Sequence, residues 1–148
     1  MEALARVAQG RSAAARRAAR AGLPLTGAAQ QVLRRVIENA PVRISDLARH
    51  VHMGDAAVSR QVTALEEQGL VVRAPSSRDG RVAMVRPTPL GRGAGRRLRR
   101  AADGIFEEHL ADWSSRDLAR LTRLMERLAR DLRSGRRGCG RKQTWPPR

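Results

Sequence analysis

Along most of this chain apolar residues recur at spacings of three and four, and in one short stretch at a spacing of two. In "GAAQQVLRRVIENA" (27–40), Ala29, Val32, Leu33, Val36 and Ile37 fall on one side of a helical wheel, which predicts a helix with one buried face. Thr26 stands where an N-cap hydroxyl is needed, and Pro41 stops the helix. "VRI" (42–44) reads as a very short strand. Ser45 then opens "SDLARHV", a helix of about two turns with Leu47, Ala48 and Val51 inward. "HMGD" makes a turn, and Asp55 is expected to cap "AAVSRQVTALEEQG", where Val58, Val62 and Leu65 form the buried stripe. The opposite face carries Ala56, Arg60 and Thr63, with Ser59 on its flank and Glu67 at its far end. Gly69 is a natural C-cap.

The period of two appears next. "LVVRA" and "RVAMVR" flank "PSSRDGR", whose Asp79-Gly80 is a strong turn dipeptide, so a hairpin is predicted with strands near 70–74 and 81–86. Two long helical segments come after it, from about 88 to 111 and from about 115 to 133. In the second, Leu118, Leu121, Met125, Leu128 and Leu132 step by three and four as a seam. That seam fits either a partner helix or packing within one chain. Arg116, Arg120, Arg123, Arg127 and Arg130 line the other side, as a solvated face or a nucleic-acid contact. At the start, residues 2–21 are rich in alanine and arginine, a helix with a weak apolar stripe interrupted by Gly10 and ended by "GLPLT". The basic, alanine-rich N-terminus lacks a hydrophobic signal core and is read as part of the fold. Residues 135–148 are expected to form a disordered tail.

The chain is therefore expected to be mainly α with a small β-hairpin wing, in the order helix, helix, short strand, two-helix turn, hairpin, helix, helix. Its 148 residues suit one domain. Thirty basic against 14 acidic residues give a formal charge of +16, and Lys142 is the one lysine. Base composition alone produces such an arginine bias, but the charge still attracts polyanions: DNA, RNA or an anionic membrane surface. Only Phe106, Trp113 and Trp145 are aromatic, too few for the stacking platforms of single-strand and RNA binders. Duplex DNA, read by arginine and small polar groups, fits better. No apolar run approaches the roughly 20 residues that span a bilayer.

Two short helices joined by a tight turn and followed by a basic hairpin describe a winged helix-turn-helix, whose second helix enters the major groove. Ser59, Arg60 and Thr63 are the chemistry that position calls for, with Gln61 beside them. Arg73 in the first strand and Arg78, Asp79 and Arg81 at the hairpin tip complete the predicted DNA-binding set. A wing arginine is drawn to the negative potential of a narrow minor groove. Asp79 either holds Arg81 extended for that purpose or completes a turn and a surface ion pair.

These segments resemble the MarR (multiple antibiotic resistance regulator) family. The resemblance is carried by "LTGAAQQVLRRV" (25–36), "ISDLARHVHMGDAAVSRQVTALEEQGLVVR" (44–73) and "DGRVAMVRPTPLG" (79–91). The last is similar to the family's wing signature, with Asp79, Arg81, Thr88 and Gly91 in place and Pro87 where leucine is usual. Ala56 and Ala57 stand where relatives commonly carry Ser or Thr. The resemblance implies a winged helix-turn-helix flanked by N- and C-terminal dimerisation helices. Its expected divisions are residues 1–24, part of the dimer region; 25–91, the DNA-binding domain; 92–134, the dimerisation helices; and the tail. It implies a homodimer on a pseudo-palindromic operator of double-stranded DNA, more often a repressor, joined through the 118–132 seam. A small-molecule effector is a further partner the family implies, and its site is not legible here.

Phe106 and Trp113 are expected to pack in the core or under a loop. His50 and His52 lie two residues apart with His109 distant, and no Cys/His spacing of a zinc site occurs, so neither metal nor cofactor is expected. Cys139 stands alone, which suits a reducing cytoplasm, and association with the nucleoid is expected from the charge. No phosphate loop, nucleophile motif or paired carboxylates suggest an enzyme. The competing function is a basic architectural protein that coats DNA with little sequence preference.

Overall fold

The computed structural model describes residues 11–75 and 83–134. Its elements run α1 (Arg11–Ala21), α2 (Gly27–Asn39), β1 (Val42–Arg43), α3 (Ile44–Val51), α4 (Asp55–Glu67), β2 (Val71–Pro75), β3 (Ala83–Pro87), α5 (Pro89–Leu110) and α6 (Ser115–Arg133). They divide into two compact units, Met1–Phe106 and Glu107–Arg148. The mainly helical composition with a small hairpin matches the expected fold class.

Local chemistry sets most boundaries of the first unit. The Thr26 hydroxyl accepts from the Ala29 N–H at 3.1 Å and so caps α2, as its sequence position implies. Asp55 does not cap α4: the N-cap is Gly54, and Asp55 is the first helical residue, where its carboxylate still favours the helix dipole. Likewise α3 begins one residue before Ser45, at Ile44, behind an Arg43 that makes no side-chain cap. At the end of α4, Gly69 takes φ +67°. Its N–H bonds to the Glu66 carbonyl and the Leu70 N–H to that of Leu65, each at 2.9 Å. This closes the helix and turns the chain into β2.

The sheet is antiparallel in the order β1-β3-β2. Val42 pairs with Val85 and Arg43 with Met84, while Val71 through Pro75 pair with Pro87 through Ala83. The segment read as "VRI" therefore contributes two strand residues, and Ile44 belongs to the next helix.

One core underlies this unit. Val32, Leu33 and Val36 from α2, Leu47 from α3, Val58, Val62 and Leu65 from α4, and Val71 and Val85 from the sheet are all fully buried. Each such burial contributes roughly 1.5–3 kcal/mol relative to exposure. The consequence is that α4 is held along the whole of one side, so its other side is presented in a fixed orientation.

A buried polar residue, Gln30, ties α1 to this core. Its Nε2 donates to the Ala14 carbonyl of α1 at 2.9 Å and to the Leu25 carbonyl at 3.0 Å. Arg97 of α5 donates to the carbonyls of Ala21 and Gly22 at the end of α1. Gly104 lies against the Arg20 guanidinium, and a Cβ there would come within 2.9 Å of it.

In the second unit Ser114 caps α6. Its Oγ accepts from the Asp117 N–H at 3.2 Å and donates to the Asp117 carboxylate at 2.6 Å. No residue of α6 is buried. Phe106 and Trp113, expected in the core or under a loop, are instead 61% and 47% exposed. Aliphatic side chains fill the core, and neither aromatic belongs to it.

Candidate nucleic-acid interface

The turn from α3 to α4 depends on His52, which takes φ +53°, while the Met53 N–H returns to the Ala48 carbonyl at 3.1 Å. Histidine is one of the few residues with a side chain that adopts this region readily. Beyond it, α4 exposes Ala56, Arg60, Thr63 and Glu67, with Ser59 and Ala64 half-buried, around a shallow depression. Arg60 makes no ion pair or hydrogen bond among the described residues, so its five N–H donors face solvent. Gln61 is turned away from this face, with its Oε1 accepting from the Thr26 hydroxyl at 3.4 Å.

Arg73 is placed differently from the sequence expectation. Its Nη1 pairs with Glu66 Oε2 at 2.8 Å, and its backbone N–H donates to Glu66 Oε1 at 3.0 Å. Its Nη2 donates to Thr63 Oγ1 at 2.9 Å and reaches the Ser59 carbonyl at 3.4 Å. The guanidinium is thus turned back onto α4, where it fixes the strand to the helix instead of reaching outward. The physical reason is the Glu66 carboxylate, which offers both oxygens to one residue. Glu66 itself carried no signal in the sequence, because its partner is seven positions away across a turn.

Arg78, Asp79 and Arg81 lie outside the described residues. The other two positions of the wing signature, Thr88 and Gly91, have a structural role. Thr88 donates its hydroxyl to the Gly69 carbonyl at 2.6 Å and accepts the Gly91 N–H at 2.9 Å. Its own N–H bonds to the Leu70 carbonyl at 3.1 Å. A Cβ at Gly91 would fall 1.9 Å from that same carbonyl oxygen. Thr88 and Gly91 therefore fasten the start of α5 to the end of α4. Pro87, in place of the usual leucine, is buried opposite Val71 at the end of β3, where strand pairing ends.

The predicted seam on α6 is open in the single chain. Met125, Leu128 and Leu132 are 57%, 36% and 73% exposed, and Leu118 and Leu121 are half-buried. Leu124, which the predicted seam omits, is exposed beside them.

Within the first unit, α1, α2 and α5 enclose a groove of about 590 Å³. Leu33, Ile37, Leu98 and Ala102 make its floor, and Arg17, Arg34, Arg92, Arg96, Arg99 and Glu38 its rim. Gly95 leaves room for the Ile37 side chain, which would lie 2.5 Å from a Cβ at that position. No group of three or more His, Cys, Asp or Glu side chains among the described residues could hold a metal ion.

A helix-turn-helix with an antiparallel wing, bearing an outward arginine on its second helix, defines a winged-helix DNA-binding protein. Residues 22–82 match the model of the MarR family. The chain is 30% identical to the transcriptional repressor IacR of Pseudomonas putida over 89 residues, 60% of this chain and 53% of that one. A solved structure of a probable transcriptional regulator from Pseudomonas aeruginosa is 30% identical, with a TM-score of 0.64 over 86% of this chain and 96% of the other. In fold alone, the crystal structure of MarR gives a TM-score of 0.75 at 20% identity over 92% of each chain. Over residues 22–82 the chain is thus similar to the MarR family, and its fold is that of solved members of that family. Its matches span from 53% to 68% of the length of the curated relatives.

Proposed function

We propose that this protein is a transcriptional regulator that binds an inverted-repeat operator as a homodimer and acts by repression. The α4 helix enters the major groove, and the wing, with Arg78, Asp79 and Arg81, reaches the adjacent minor groove. The observation that supports this reading best is the two-sidedness of α4. One side is fully buried through Val58, Val62 and Leu65, and the other presents an Arg60 that is unpaired among the described residues. Arginine held this way forms two hydrogen bonds to guanine O6 and N7.

The homodimer is supported by the apolar seam of α6, a contiguous stripe that a lone protomer leaves in water. A C2 pair of such faces is self-complementary. The groove of the first unit suits an effector with an apolar body and an acidic group, since its floor is aliphatic and its rim basic. A regulator of this kind carries out no catalytic step. No described helix is long and apolar enough to cross a membrane.

The test is to incubate the full chain with sheared genomic DNA of its source at about 150 mM salt, near physiological ionic strength, and to sequence what is retained. Discrete peaks that share an inverted repeat support the reading. Uniform retention across the genome would replace it with the architectural one, in which charge alone drives binding.

A further inference from the structure

Thr63 has a hydrogen-bonding polarity fixed by its neighbours. Its hydroxyl hydrogen is donated to the Ser59 carbonyl at 3.1 Å, one turn back on α4. A threonine hydroxyl has one hydrogen and two acceptor lone pairs. One lone pair receives the Arg73 Nη2 hydrogen at 2.9 Å. Arg73 is in turn held by Glu66, through its side chain at 2.8 Å and its backbone N–H at 3.0 Å. What remains at the exposed Thr63 is one lone pair and no hydrogen to give.

This restricts what Thr63 can meet on DNA. Phosphate oxygens only accept, as do guanine O6 and N7 and thymine O4. The donors in the major groove are the exocyclic amino groups, N6 of adenine and N4 of cytosine. We propose that Thr63 is a specificity-determining residue that reads an amino base, adenine or cytosine, against a keto base, guanine or thymine, on the strand it faces, and that the Ser59 carbonyl sets this polarity by taking the hydroxyl hydrogen while Arg73 fills one of the two lone pairs. The proposal rests on the placement of α4 in the major groove. Arg60 lies three residues before Thr63 and offers only donors, so neighbouring positions of the helix carry opposite requirements: donor at Arg60, acceptor at Thr63.

The experiment is a selection from random duplex DNA, run in parallel on the wild-type chain, Thr63→Val and Thr63→Ser. Thr63→Val keeps the shape and removes the acceptor; Thr63→Ser keeps the hydroxyl and removes the methyl. The wild type should show, in each half-site, a column favouring adenine and cytosine over guanine and thymine. In Thr63→Val that discrimination should fall by about fivefold, the worth of one hydrogen bond, with the other columns unchanged. Thr63→Ser should retain it. Arg73→Ala, checked for folding by circular dichroism, should keep the preference for amino bases at the same column, because the Ser59 carbonyl still holds the hydroxyl hydrogen. A wild-type motif whose columns are all unaltered in Thr63→Val would overturn the proposal while leaving the regulator reading intact. Recovery of no wild-type motif would overturn the regulator reading and this proposal with it.

Discussion

The carbonyl oxygen of Leu70 occupies the space that any side chain at Gly91 would need, 1.9 Å from where a Cβ would lie. The turn that follows α4 and the start of α5 therefore meet backbone to backbone. Thr88 secures the junction by bonding to Gly69, Leu70 and Gly91 together. A single methyl should disrupt it. Gly91→Ala is expected to lower unfolding stability by about 3 kcal/mol, at the upper end of overpacking costs. Urea denaturation followed by circular dichroism measures this, and an unchanged midpoint would contradict the junction as described.

Gln30 offers a second test of the fold. Both hydrogens of its amide are used, on the Ala14 and Leu25 carbonyls, at a site only 7% exposed. Gln30→Met keeps the volume and removes the donors, so stability should fall by roughly 1–3 kcal/mol. Protease cleavage within α1 should accelerate at the same time, since this amide is one of the links that hold α1 to α2.

Arginines on α4 and α6 should behave differently. Arg60→Ala should cost roughly 5- to 150-fold in affinity for the operator, equivalent to 1–3 kcal/mol, and little for unrelated duplexes. Arg130→Ala, on the arginine face of α6, should leave the ratio of specific to nonspecific binding unchanged. Fluorescence anisotropy with matched and scrambled duplexes measures both. Equal losses from the two would mean that binding is diffuse electrostatics.

The α6 seam predicts the assembly state. Leu128→Glu places a carboxylate in the middle of the apolar stripe. A protein that sediments as a dimer at micromolar concentration should become a monomer, with the helical content of each chain kept. A wild-type monomer at that concentration would contradict the proposed pairing of α6 helices.

Part of this fold is legible in the sequence because its determinants are local. Thr26 caps its own helix, Val58, Val62 and Leu65 repeat at helical spacing, and α4 ends where the Gly69 N–H bonds three residues back and the Leu70 N–H five residues back. Other features depend on which distant segments meet. Gln30 looks like an ordinary surface glutamine until α1 is laid across it. Gly91 looks like a helix glycine until Leu70 arrives beneath it. Arg73 reads as one more basic residue near a wing, and only the Glu66 carboxylate beside it turns it inward. Phe106 and Trp113 depart from expectation for a related reason: large aromatics usually find a core, and these two are exposed in the single chain.

The proposed function requires two copies of α4 to read two half-sites of one operator. Selection of wild-type binding sites from random duplex DNA at about 150 mM salt tests this most directly. The expected result is an inverted repeat with half-site centres about 34–36 Å apart, one turn of the double helix. Binding without a recovered motif, or a motif made of one unrepeated half-site, would contradict it.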